Sequence, residues 1–283
     1  MRRLEAYKVD AFTTTPFSGN AAGVVPDAKG LTEREMQLIA REMSLSETAF
    51  LLPPTAPGAD AKLRYFTPTT EIKLCGHATV ATFHLLSSLG RLLSPTLKLE
   101  TNVGVLDVEV RDGMVWLSSD PVVVEPSPLA PDAVARLLGA PRVRDPMLVK
   151  GMLLCTVDGM KAMEALAPDL PAIARLYRER GIDGIVPVSF ETHDPANLTH
   201  IRYFVPGVGI DEDPVTGAAH MSLAGYLLRL GRITSPARFT GEQGHFRGRP
   251  GVVTVDVQGD PADPRVRIGG TAVVSLEGSL RLP

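Results

Sequence analysis

Arg64-Tyr65-Phe66-Thr67-Pro68 and Arg202-Tyr203-Phe204-Val205-Pro206 match at four of five positions, 138 residues apart. Leu89-Gly90-Arg91 returns as Leu230-Gly231-Arg232, 141 residues on. Gly104-Val105-Leu106-Asp107-Val108-Glu109-Val110 is echoed by Gly251-Val252-Val253-Thr254-Val255-Asp256-Val257, 147 residues on. The offset grows by small insertions while the order is kept. One short match carries little, but three in one order mark a repeated structural unit. The sequence therefore predicts two similar halves, residues 1–120 and 121–269. The last strand, about 270–283, is expected to return to the first half.

Each half reads alike outward from the echoed motif. A strand (Leu63–Phe66; Ile201–Val205) runs into a turn containing Pro or Gly. A helix follows (76–89; 217–230), with Gly90 or Gly231 placed to end it. Neither helix has a charged face: Ala78, Val80, Ala81, Phe83, Leu85 and Leu86 fill one, and Ala219, Met221, Leu223, Ala224, Leu227 and Leu228 the other. A helix apolar nearly all round is a buried helix. Alternating apolar and polar sequence then signals strands, including a hairpin, Val103–Val110 to Met114–Ser118, turning at Asp112-Gly113. These signals predict an α+β protein of two duplicated, pseudo-symmetric halves, each a β-roll around a central apolar helix. One more helix is announced by Thr32 and Glu35 at capping-box spacing, with Met36, Ile39, Ala40 and Met43 as its buried stripe. It ends near Ser44, so Glu47 falls where the next strand begins.

The 283 residues, 44% of them hydrophobic, can bury one large or two medium cores. A net charge of −3 offers no electrostatic footprint for nucleic acid or an anionic membrane. No apolar run approaches the ~18 residues of a spanning helix. Met1-Arg2-Arg3 leads into no apolar segment, so no secretory signal is expected. Two cysteines, Cys75 and Cys155, make no disulfide framework and suit a reducing compartment, so a cytoplasmic location is expected. No phosphate-binding glycine motif occurs.

The chemistry concentrates at two strand–turn–helix junctions, Leu74-Cys75-Gly76-His77-Ala78-Thr79 and Asp213-Pro214-Val215-Thr216-Gly217-Ala218-Ala219. In each, glycine opens a buried helix, whose free N–H groups and partial positive charge can hold a carboxylate or oxyanion. Read without context, the same glycines serve as turn and packing residues.

Several segments in fixed order make the chain similar to the PhzF family of phenazine-biosynthesis-like isomerases, within the diaminopimelate-epimerase-like superfamily. They are Val9-Asp10-Ala11-Phe12 with Gly19-Asn20, Ser46-Glu47-Thr48-Ala49-Phe50, Phe66-Thr67-Pro68 through Glu71 to Cys75-Gly76-His77-Ala78-Thr79, and Asp213-Pro214-Val215-Thr216-Gly217. The resemblance implies two α/β halves with a substrate cleft between them, a homodimer, and acid/base isomerisation of a small carboxylate without metal or organic cofactor. In the phenazine pathway that substrate is a dihydro-hydroxyanthranilate.

Residue roles follow from the resemblance. Glu47 matches the catalytic glutamate that takes a proton from carbon and returns it elsewhere, a task that calls for burial to raise its pKa. Outside this motif it reads as a surface carboxylate. His77 and Asp213 match its polar partners, Asp213 reading equally well as a helix-capping acid. Asn20, Gly76, Thr216, Gly217 and Ala218 are expected to contact substrate. Ala218 departs from the family pattern, which has serine there. It stands 141 residues after His77, so it is expected to face the same cleft without the hydroxyl.

Two other readings stay open. Related racemases oppose two cysteines, one from each half; Cys75 stands where the first would be, but residues 213–217 hold none, and a lone cysteine is more often a small buried hydrophobe. A catalytically idle relative would bind ligand without turnover. The remaining histidines, His84, His193, His200, His220 and His245, lack zinc-ligand spacing, so no metal site is expected.

Overall fold

A computed structural model describes residues 2–118, 122–260 and 264–282. The chain divides into two compact units, Met1–Ser118 with Gly269–Pro283, and Ser119–Ile268. Both are mixed helix and sheet, the α+β class expected.

The first unit carries β1 (Arg2–Ala11), β2 (Asn20–Val25), α1 (Glu33–Met43), β3 (Glu47–Leu52), β4 (Ala61–Phe66), β5 (Glu71–Ile72), α2 (Gly76–Ser88), β6 (Thr96–Thr101), β7 (Gly104–Arg111) and β8 (Met114–Ser118). The second carries β9 (Val124–Pro126), α3 (Pro131–Leu138), β10 (Arg144–Val149), β11 (Met152–Thr156), α4 (Gly159–Glu164), α5 (Leu170–Arg180), β12 (Gly184–Ser189), β13 (Thr199–Ile201), α6 (Gly217–Arg229), β14 (Ala237–Gln243) and β15 (Gly251–Gln258). β16 (Arg265–Gly270) leads to β17 (Ala272–Leu282). β17 runs antiparallel to β1 from Ala11↔Ala272 to Arg2↔Leu282, with a bulge between Lys8 and Val9.

In the first unit, β1–β2 is antiparallel, β2–β3 parallel, β3–β4 antiparallel, β4–β6 parallel and β6–β7 antiparallel. In the second, β10–β11, β11–β12, β12–β13, β13–β14 and β14–β15 show the same five directions in the same order. Helix α2 packs on β1, β2, β3, β7, β8 and β17, and α6 on β9, β10, β11 and β15. Nine of the thirteen residues in each helix are buried, which is why neither tolerates a charged face. Both helices stop in the same way. Gly90 and Gly231 adopt φ of 65°, and Arg91 and Arg232 donate their N–H groups back to Leu86 and Leu227, a Schellman closure.

The turn chemistry follows the sequence closely. Thr32 and Glu35 form both bonds of the capping box, and Ser44 ends α1 in the left-handed region. Asp112 and Gly113 both take positive φ, as a tight hairpin turn requires. The strand expected at Ile201–Val205 is found instead at Thr199–Ile201. The segment 201–205 leaves regular pairing after Ile201, because its partner in the ladder is Pro187. Arg202 N–H reaches the Pro187 carbonyl, but proline has no N–H to return. Pairing resumes once, at Ile185↔Phe204.

The echoed motif builds the same constellation in each unit. Arg64 forks onto Glu71 and lies 5.1 Å over the Phe66 ring; Arg202 forks onto Glu212 and lies 4.8 Å over Phe204. Among the described residues, no helix is long and apolar enough to cross a membrane.

Candidate active site

Glu47 is the first residue of β3, which lies parallel to β2 with Ala22 opposite Glu47. The two strands meet closely at Gly23, where a Cβ would come within 2.6 Å of the Thr48 hydroxyl. Glycine there fixes the height of β3 and hence of Glu47. His77 is the second residue of α2, in the first turn of a helix whose start carries no side-chain cap. The two side chains meet: His77 Nε2 lies 3.2 Å from Glu47 Oε2, both about nine-tenths buried. The approach makes an ion pair but not an aligned hydrogen bond, and Oε2 has no hydrogen-bond partner among the described residues. Cys75 completes the cluster, its sulfur 3.4 Å from His77 Nδ1.

The charge state of this cluster differs from the sequence expectation. Burial, the largest single influence, would raise the Glu47 carboxyl, but His77 and Ser46 beside it together hold it below its ordinary value. Burial likewise works against a charged His77, yet the Cys75 sulfur, placed to accept the Nδ1–H, and the Glu47 carboxylate on the other side raise it well above 6.5. Cys75 itself is pushed up by burial and stays a thiol. Glu47 is therefore not a carboxylic acid poised near neutrality. It is a buried carboxyl held toward its ionised form beside His77, with no hydrogen bond to Oε2 among the described residues.

Asn20 is buried at the start of β2, paired in register with Ala11. Gly76 opens α2 and is half-buried. Asp213, Thr216, Gly217 and Ala218 lie together in the second unit. Thr216, not Asp213, is the N-cap of α6, so the capping reading of Asp213 is corrected. The Asp213 carboxylate instead accepts the Thr216 hydroxyl. Gln243, which the sequence did not single out, holds this turn from β14: its amide donates to the Asp213 carbonyl and its oxygen accepts the Thr216 N–H. Gly217 is buried, and Ala218 is exposed on the first turn of α6.

The sequence assigns Cys75 to packing; its contact with His77 is a finding of the fold. The signal lay in the two-residue spacing across a helix start. Two groups of described residues could ligate a metal ion: Glu47, Cys75 and His77, and, in the second unit, His193, His200, Glu242 and His245. The spacing of those histidines had pointed to no metal site. The fold nonetheless gathers three of them around one carboxylate.

The profile of phenazine biosynthesis-like proteins matches residues 9–278. An uncharacterized isomerase of Pseudomonas aeruginosa is 39% identical, with 99% of each chain covered. The uncharacterized isomerase YddE of Escherichia coli K12 is 36% identical, covering 95% of this chain and 96% of its own. Among solved structures, a PhzF-family phenazine biosynthesis protein of Bacillus anthracis superposes with a TM-score of 0.88 at 30% identity, with both chains fully covered.

Proposed function

The chain belongs to the phenazine biosynthesis-like family, and on that premise we propose that it is an isomerase moving a proton between two carbons of a small carboxylic acid, with Glu47 as the shuttling base. The observation that carries this reading is the buried Glu47 Oε2, without a hydrogen bond among the described residues and 3.2 Å from His77 Nε2. A buried carboxylate oxygen without a hydrogen bond costs stability, and such groups call for a functional explanation.

In the proposed step Glu47 removes a proton from one carbon, and the electron pair left behind spreads into the substrate's conjugated carboxylate. Protonated Glu47 then returns the proton to a second carbon. One C–H bond breaks and one forms, with no net change in oxidation state, so the reading calls for no redox cofactor. His77, held as an imidazolium, keeps Glu47 ionised at rest and donates to negative charge developing on the substrate. The free N–H groups at Gly76 suit the substrate carboxylate. Asp213, Thr216, Gly217 and Ala218 enter as substrate contacts on the family resemblance. A dihydro-hydroxyanthranilate is the first substrate to try.

The pH profile tests the pairing. Glu47, lowered, stays ionised until pH falls below the ordinary carboxylate range, and His77, raised, stays protonated until pH climbs well past 6.5. Turnover should therefore be flat through neutrality, falling on the acid side with Glu47 and on the alkaline side with His77. A rate that rises through pH 6–7 as a neutral histidine forms contradicts the imidazolium. Cys75→Ala should keep most turnover, since a buried thiol held protonated is no base. Complete loss in a folded Cys75→Ala protein would restore a thiol mechanism of the racemase kind.

A further inference from the structure

His193 lies between β12 and β13, His200 within β13, Glu242 near the end of β14, and His245 at the start of a 3₁₀ turn, His245–Arg247. The three rings converge. His193 stacks on His245 at 4.1 Å between centroids, and His200 stands 5.4 Å from His193 and 5.2 Å from His245. One ligand atom from each, with a Glu242 oxygen, lies within 4.8 Å of every other.

The hydrogen bonds decide which atoms are available. Glu242 Oε1 accepts the His193 backbone N–H and faces His200 Nδ1 at 3.0 Å; Oε2 accepts the Asp194 N–H and the Asn197 amide. With a carboxylate as its partner, Nδ1 is the protonated nitrogen of His200, and Nε2 keeps its lone pair. His200 is fully buried, and that Nε2 has no partner among the described residues. His245 Nδ1 is buried and unpartnered in the same way.

The first unit shows that the loop clamp needs no histidine. There Glu100 does the corresponding work, binding the N–H groups of Thr55 and Ala56 with Lys62 beside it. By the 138-residue offset, Lys62 corresponds to His200 and Thr55 to His193. The second unit has replaced both with imidazoles and added His245.

We propose that His193, His200 and His245 form a binding site for a divalent transition-metal ion of zinc type, with Glu242 orienting His200. Neutral imidazole is the preferred ligand of such ions, and a carboxylate on the far nitrogen is the usual support for a ligating histidine. Bonds of about 2.0–2.1 Å require the nitrogens to close up from their present spacing. His193, exposed and on a loop, is the ring able to swing inward. The ion would clip this loop to the 3₁₀ turn, two residues from Gln243, which holds the Asp213–Thr216 turn.

The test uses the full untagged chain, stripped with chelator and titrated with Co²⁺. One equivalent should produce the visible absorption of tetrahedral, nitrogen-ligated Co²⁺, which Zn²⁺ should abolish, and Zn²⁺ should raise the melting temperature. His193→Ala, at an exposed side chain, and His245→Ala should each weaken Co²⁺ binding at least about tenfold. Absence of the Co²⁺ spectrum in the parent protein overturns the site, as does binding unchanged in both variants.

Discussion

Glu47→Gln is expected to lower turnover by about 10²–10⁴-fold, the range for loss of a positioned general base. Glutamine keeps the volume and one carbonyl oxygen, so the packing around β3 is preserved. It has no carboxylate to accept a carbon-bound proton, and it no longer holds His77 charged. Substrate affinity should change little, because the N–H groups at Gly76 are untouched. The loss should therefore appear in kcat rather than KM. The alkaline limb should also move to lower pH, since Glu47 is one of the groups that keep His77 protonated. Unchanged kcat in a folded Glu47→Gln protein removes Glu47 from the reaction.

The two copies of the arginine constellation should differ sharply in stability. Arg202 and Glu212 are each about nine-tenths buried, and the guanidinium also donates to the Met163 carbonyl and lies 5.1 Å over Phe246. Removing one member of a buried ion pair strands the other, so Arg202→Ala should cost about 3–5 kcal/mol. Arg64 makes the same fork with Glu71, but about a fifth of each side chain is exposed, and its second carboxylate, Glu33, stands mostly in water. Solvent can replace those contacts, and Arg64→Ala should cost about 1 kcal/mol. Denaturant unfolding of both variants gives the comparison. Equal losses contradict the burial argument. Replacing Arg202 and Glu212 together by Met and Leu should recover much of the single-variant loss, because no buried charge is then left alone.

What could be read in the sequence was local or repeated. Thr32 with Glu35, Gly90 and Gly231, and Asp112-Gly113 each specify backbone geometry within a few residues, and each does so here. The echoed Arg-Tyr-Phe motif carried its constellation with it, because an arginine two residues before an aromatic on a strand shares its face. What could not be read depended on residues distant in sequence. The strand expected at 201–205 stops at Ile201, where Pro187, fifteen positions before Arg202, can return no N–H. The direction of the Glu47 shift turns on His77, thirty positions away, which together with Ser46 more than offsets burial. His193, His200 and His245 have no telling spacing because they arrive from a loop, a strand and a 3₁₀ turn. Gln243 escaped notice for the same reason: it reaches the Asp213–Thr216 turn from another strand.

Proton transfer through Glu47 is most directly measured by solvent exchange. A dihydro-hydroxyanthranilate, and beside it a panel of small unsaturated carboxylic acids, is incubated with the protein in D₂O and followed by proton NMR. The parent protein should incorporate deuterium at a single carbon of at least one acid as the double bonds shift, and Glu47→Gln should do so at least about a hundredfold more slowly. Exchange at the same rate in both proteins, or an acid that binds tightly and never exchanges in the parent, contradicts the proton shuttle.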